Sequence, residues 1–264
     1  MQPNQKLLFS ISFLSLLLSL DTGNCAYAQT VNPHTLDNAP PQLKKLIAQI
    51  DAASSRGDIK GVMGFYSSKF SHGDGLTRQA MEQSLKSLWQ RYPKLSYQTK
   101  LQSWKSNGKT IIAETVTRIT GQSSDKTSPL AINAAITSRQ HITGAQITHQ
   151  EILSERTQMT SGKKPPQVEF RLPQQVKVGE KYAFDAIVKE PLGNNFLLGT
   201  AMEETIKPNK YLNPTPINLE LLSTGGLFKT GTAPLQPVNQ WISAVIVRDD
   251  GVTMITQRLK VVRN

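Results

Sequence analysis

The sequence predicts an α+β domain, with helices packed on one face of a curved antiparallel sheet, followed by an all-β sandwich. Three observations predict it. Apolar residues recur at helical spacing from Leu43 to Tyr92 and then at strand spacing from Leu95 onward. Beyond Pro166 no stretch has helical period, and turn signals become frequent. Between the two lies Gln146–Pro166, which begins as a strand and ends as the polar, proline-stiffened run Ser161-Gly162-Lys163-Lys164-Pro165-Pro166. The expected division is a signal peptide over 1–28, a first domain over 41–160, a linker over 161–166 and a sandwich over 167–264.

The chain begins with Lys6 and an apolar run from Leu7 to Leu20, too short to span a bilayer comfortably. Asp21, Thr22 and Gly23 break it, and Ala26-Tyr27-Ala28 offers small residues for cleavage before Gln29. Competing readings are an uncleaved anchor and an acylated Cys25. The residues before Cys25 lack the aliphatic side chain that an acylation site wants. An exported protein is expected, soluble or peripherally attached. Cys25 is the one cysteine, so a cleaved chain has no disulfide, thiolate metal ligand or cysteine nucleophile.

Leu43, Ile47 and Ile50 give the first helix its apolar face. Asp58 is the expected N-cap of a second helix carrying Ile59, Val62, Met63, Tyr66 and Phe70. Ser71–Gly75 reads as a loop, and Thr77 caps a third helix with Met81, Leu85, Leu88, Trp89 and Tyr92 inward. Tyr97, Thr99 and Leu101 alternate with polar neighbours, and Trp104 breaks that parity, so a bulge is expected near Ser103. Asn107-Gly108 and Thr143-Gly144 mark turns between long strands, and Asp249-Asp250-Gly251 closes a hairpin in the second half.

Net charge is +11. Residues 29–164 carry an excess of nine positive charges and 165–264 an excess of two. The first domain could therefore meet an anionic envelope surface, or simply carry a solvated basic face, since its Lys and Arg form no long run. Export argues against nucleic acid as a partner. The four histidines lack metal-ligand spacing, and no phosphate-binding glycine loop or nucleophile elbow occurs. No metal or cofactor is expected.

The candidate pocket residues are Tyr66, His72, Asp74, Trp89, Tyr97, Glu114, His149 and Glu151. His72 and Asp74 would sit on a rim or shape the loop, Asp74 as a cap or turn former. Glu114 could face a pocket or pair with a cation on the outer sheet. His149 and Glu151 share strand parity with Ile147 and Leu153. Tyr66, Trp89 and Tyr92 form an aromatic stripe that reads as core or as a ligand platform.

Gly64-Phe65-Tyr66-Ser67-Ser68-Lys69-Phe70-Ser71, then Asp74-Gly75, and the strand Gln150–Thr157, resemble the nuclear-transport-factor-2-like superfamily with its ketosteroid-isomerase-like and SnoaL-like members, as in exported cyanobacterial proteins. That resemblance implies a cone whose helices and concave sheet enclose a pocket, and a first-domain sheet able to form a homodimer. Val176–Tyr182 resembles bacterial immunoglobulin-like modules, which implies a contact-making sandwich. The favoured reading is an exported, non-catalytic binding or scaffolding protein with an unidentified protein or small apolar ligand as partner, in the periplasm or a thylakoid lumen. The alternatives are a cofactor-free isomerase, dehydratase or hydrolase using a pocket carboxylate or His, and a carrier of an apolar ligand or pigment.

Overall fold

The computed structural model describes residues 38–263, apart from 126, 192, 194, 195 and 214. The expected signal peptide lies outside the described residues, as does most of the lead-in after it.

Helix α1 spans Pro41–Ser55 and α2 Ile59–Gly64, the latter capped by the Asp58 carboxylate accepting from Gly61 N–H at 2.9 Å. The chain then departs from the expected long second helix. Strand β1 runs Tyr66–His72, with Tyr66, Phe70 and His72 buried. Ser67, Ser68 and Ser71 compete poorly for a helix, and β1 instead pairs in parallel with a later strand. Helix α3, Arg78–Arg91, is capped by Thr77 Oγ1 accepting from Ala80 N–H at 3.1 Å.

Four long strands follow: β2 Lys94–Asn107, β3 Thr110–Gln122, β4 Ala131–Thr143 and β5 Gln146–Gly162. The β2–β3 register slips between Leu101 and Ser103, where the bulge was expected. Gly108 and Gly144 take the turns at positive φ. The remaining strands are β6 Val168–Arg171, β7 Gln175–Lys177, β8 Lys181–Val188, β9 Leu197–Thr205, β10 Glu220–Leu222, β11 Gly226–Thr232, β12 Val238–Arg248 and β13 Gly251–Val262.

These strands overturn the expected fold class, an α+β cone followed by a self-contained all-β immunoglobulin-like sandwich. Strand dominates the described residues, and one ten-stranded sheet runs through both parts, eight strands in the order β10-β9-β12-β13-β5-β4-β3-β2 with β1 added on β5 and β7 on β13. The join is β13 against β5, antiparallel from Gly251↔Gly162 to Gln257↔Arg156. The physical reason is the length of β5. Alternating burial persists through Met159 and Ser161, so the strand runs to the start of the expected linker and offers its edge over residues 156–162. β1 occupies that same edge at residues 147–150 and β13 at 156–162.

Two cores lie on this sheet. Helices α1–α3 cover one face of β2–β5, where Leu43, Met63, Trp89, Ile119, Ile136 and Met159 belong to one cluster. A three-stranded sheet, β11-β8-β6, packs on β12 and β13 through Phe170, Phe184, Ile242, Ile246, Ile255 and Leu259. The connection between β5 and β6 is tied to the β12–β13 hairpin. Lys164 N–H donates to Asp250 O, Arg248 Nη2 donates to Lys164 O, and Thr253 Oγ1 donates to Pro166 O. Gly162 sits at φ 100°, and a Cβ there would lie 2.3 Å from Asp250 O, so only glycine lets the hairpin approach this closely.

Candidate functional site

A cavity of about 130 Å³ lies between the helices and the sheet. A site for one water needs roughly 10–15 Å³, so this space admits a molecule of several heavy atoms. Ile47, Ile50, Leu85 and Leu88 close it from the helices. The sheet contributes polar groups, because strand alternation aims Thr99, Thr117, Ser138, Gln140 and Gln150 inward beside Ile119 and Ile136.

Each of these polar groups is held. Asp51, on α1, accepts from Thr99 N–H and Thr99 Oγ1, both at 2.6 Å, and Thr99 Oγ1 lies 2.9 Å from Thr117 Oγ1. Ser138 Oγ is 3.2 Å from Thr115 Oγ1. Gln150 Oε1 accepts from Tyr66 OH and from Gln140 Nε2, each at 3.4 Å. Burial pushes the Tyr66 phenol up to about 12 and also raises Tyr97, whose oxygen accepts from Trp89 Nε1 at 2.9 Å. The Tyr66 and Tyr97 phenols are therefore neutral hydroxyls at physiological pH.

His72 lies on the cavity wall, nearly buried at the end of β1. Its Nδ1 accepts from Asp74 N–H at 3.1 Å, so the neutral ring carries its proton on Nε2. Burial lowers its pKa from 6.5 to about 4; the Asp74 carboxylate, which acts the other way, does not offset it.

Behind His72 is a buried ion cluster. Arg258 donates to both Asp74 oxygens, Nη1 to Oδ1 at 2.9 Å and Nη2 to Oδ2 at 2.8 Å. It also donates to Glu155 Oε2 from Nε at 3.0 Å and from Nη2 at 2.7 Å. Tyr211 OH donates to Asp74 Oδ2 at 2.6 Å, Asn239 Nδ2 to Asp74 Oδ1 at 3.3 Å, and Trp241 Nε1 to Glu155 Oε1 at 2.9 Å. Burial alone would raise the Asp74 carboxyl, but the bidentate Arg258 contact outweighs it and holds the group below the usual carboxylate range. Burial disfavours the Arg258 cation, and its two carboxylates more than reverse that. Two carboxylates thus face one guanidinium, and three neutral donors stabilise the remaining negative charge.

The structure brings Tyr66, His72 and Tyr97 together on the cavity. It places Asp74 behind His72 in the ion cluster, and Trp89 in the core beside Tyr97. Glu114 and Glu151 lie elsewhere, on the outer sheet face, where Arg139 bridges them at 2.8 and 3.2 Å and Lys260 reaches Glu151 at 3.1 Å. His149 is hydrogen-bonded to Ser71 Oγ at 2.8 Å and stacks edge-on with His141. For His149 and Glu151 the parity shared with Ile147 and Leu153 could not decide the face, for a local reason. Thr148 and Leu153 are extra residues in β5, so the register slips on both sides of the His149–Ile152 segment and its parity is reversed relative to Glu155.

The sequence reading missed Glu155, Tyr211, Asn239, Trp241 and Arg258. A usable signal existed for Arg258: it lies mid-strand in a run, Thr253–Leu259, that is buried on both faces.

A family model described as a domain of unknown function, DUF8623, matches residues 163–262. No curated protein matches the chain. Among solved structures, Bdellovibrio bacteriovorus Bd1075 is similar over 42% of this chain and 39% of its own length, at 15% identity and a TM-score of 0.34. A putative scytalone dehydratase from Novosphingobium aromaticivorans is similar over 42% of this chain and 80% of its own, at 8% identity and a TM-score of 0.36. A hypothetical protein with a ketosteroid isomerase-like fold from Catenulispora acidiphila, solved with trimethylamine, is similar over 41% of this chain and 83% of its own, at 12% identity and a TM-score of 0.30. Each of these likenesses covers 41–42% of this chain, at 8–15% identity.

Proposed function

We propose that the protein is an exported binding protein that takes a small, neutral, largely apolar molecule into the cavity beneath the helices and does no chemistry on it. One observation carries the reading: the cavity joins an aliphatic wall to a row of uncharged hydroxyl and amide groups. Its one carboxylate, Asp51, is already engaged by Thr99 through both oxygens. Such a surface suits a ligand with an apolar body and one or two hydroxyl or carbonyl groups. The export half of the proposal rests on the Leu7–Ala28 sequence pattern. The part after residue 163 would serve contacts with other envelope components.

Native mass spectrometry of the purified protein, and thermal shift with phenol and cyclohexanone as probes, test this. Wild type should gain stability with a probe, and Leu85→Phe, which fills the cavity from α3, should abolish the gain while staying folded. An equal shift in both proteins would place the ligand elsewhere.

A second reading, a cofactor-free isomerase or dehydratase, draws on the neutral His72 ring, whose Nε2–H could donate to a developing oxyanion. Turnover of a bound probe that is lost in His72→Asn would favour it over simple binding.

A further inference from the structure

A groove of about 1270 Å³ opens on the opposite face of the main sheet, where that sheet parts from the three-stranded one. Val116, Ala135, Thr137 and Ser154 form its floor. All four residues of β6 border it. Consecutive strand residues point to opposite faces, so the edge of β6, not one face, lines the groove. Among the described residues β6 ends the order of its sheet and pairs with β8 alone.

Arg156 rises from the floor. Its guanidinium carbon lies 5.3 Å from the centroid of the Phe170 ring. Its Nε is buried with no hydrogen-bond partner, and among the described residues no carboxylate reaches ion-pair distance. Two of the other cations at the groove are paired: Arg258 is held by Glu155 and Asp74, and Arg171 pairs with Glu169 at 2.8 Å. Lys181 and Lys189 stand against Glu180 and Asp185, so the groove as a whole is close to neutral and Arg156 is the cation at its floor that is left without a carboxylate. Burial also pulls the Arg156 pKa down, as expected for a cation without a counter-ion.

We propose that this groove docks an extended acidic peptide segment, which adds as a strand along the free edge of β6 and places one carboxylate on Arg156. Main-chain hydrogen bonds to β6 supply the affinity and the Arg156 pair supplies the selectivity. The small side chains of the floor leave room for alternate residues of the incoming strand.

The test uses the full chain and the peptide Gly-Gly-Thr-Val-Glu-Val-Thr-amide carrying fluorescein on its N-terminal amine, followed by anisotropy. Binding is expected, with the Gln analogue at least about tenfold weaker. Arg156→Met keeps the stem on Phe170 and should lose binding to the same extent, with an unchanged or raised melting temperature. Glutarate should compete only at far higher concentration than unlabelled peptide. Absence of binding, equal binding of the Gln analogue, or full binding by Arg156→Met would overturn the proposal. So would competition by glutarate as strong as that of the peptide, which would assign the site to small carboxylates. If Arg156→Met does not fold, Arg156→Lys keeps the charge without the two-pronged geometry; severalfold weaker binding is then expected, and equal binding overturns the idea.

Discussion

Two regions of this molecule use the same chemistry in different solvents. Arg258 stands between Asp74 and Glu155, and Arg139 stands between Glu114 and Glu151. In the first trio the side chains are 1–3% exposed; in the second they are 33–40% exposed. Coulomb attraction and desolvation both grow as water is removed, so the buried trio is the more fragile to the loss of one member. The outer trio can be dismantled and re-solvated. Position relative to water, more than the number of hydrogen bonds, ranks the two.

The sharpest way to break the comparison is to remove each arginine. Arg258→Met leaves two carboxylates buried beside each other and should cost about 3–5 kcal/mol in urea unfolding. Arg139→Met should cost under about 1 kcal/mol. Equal losses would mean that the buried cluster admits water.

Acid should act next most strongly, and on the inner region. His72 has its folded pKa lowered from 6.5 to about 4, so the unfolded chain binds the extra proton between those values. Stability is full above about pH 6.5 and falls as pH drops toward 4, by on the order of 3 kcal/mol. Asp74, depressed by Arg258, adds a further loss below the ordinary carboxylate range. His72→Asn should flatten the upper part of the profile, which pH-dependent melting would show.

Smaller again is Tyr211→Phe. It removes a donor to a carboxylate that keeps both Arg258 contacts, and a loss of about 1.5–3 kcal/mol is expected. Thr77→Ala removes an exposed helix cap from α3 and should cost about 1 kcal/mol, reporting on the helical layer alone. In that variant the His72 pH profile should be unchanged.

Local chemistry was legible in the sequence. Asp58 and Thr77 cap their helices, Asn107-Gly108 turns, and the β2 bulge falls beside Ser103 because Trp104 needs the inner side. Tyr97 was recognisable as a pocket residue from strand period, whereas Tyr66 and His72 reach the cavity from β1, where a helix and a loop had been expected. What failed was long-range or depended on a slip of register. Arg258 lies 103 residues from Glu155 and 184 from Asp74, and no local period links them. The β5–β13 pairing was hidden because Lys163-Lys164-Pro165-Pro166 ends one strand without ending the sheet. The two β5 bulges break the parity that His149 and Glu151 share with Ile147 and Leu153, so the sequence alone could not decide their face.

The β5–β13 pairing also sets an order of events during synthesis. β13 emerges after every other described strand, so until it arrives β5 has an open edge along residues 156–162. Over the same interval Asp74 and Glu155 lack their shared cation. A nascent chain halted before Gly251 therefore carries a sticky strand and an unneutralised acidic pair at one place. The early part of the polypeptide reaches its final state only when the late part closes on it, and a premature stop should yield aggregation in place of a folded N-terminal fragment.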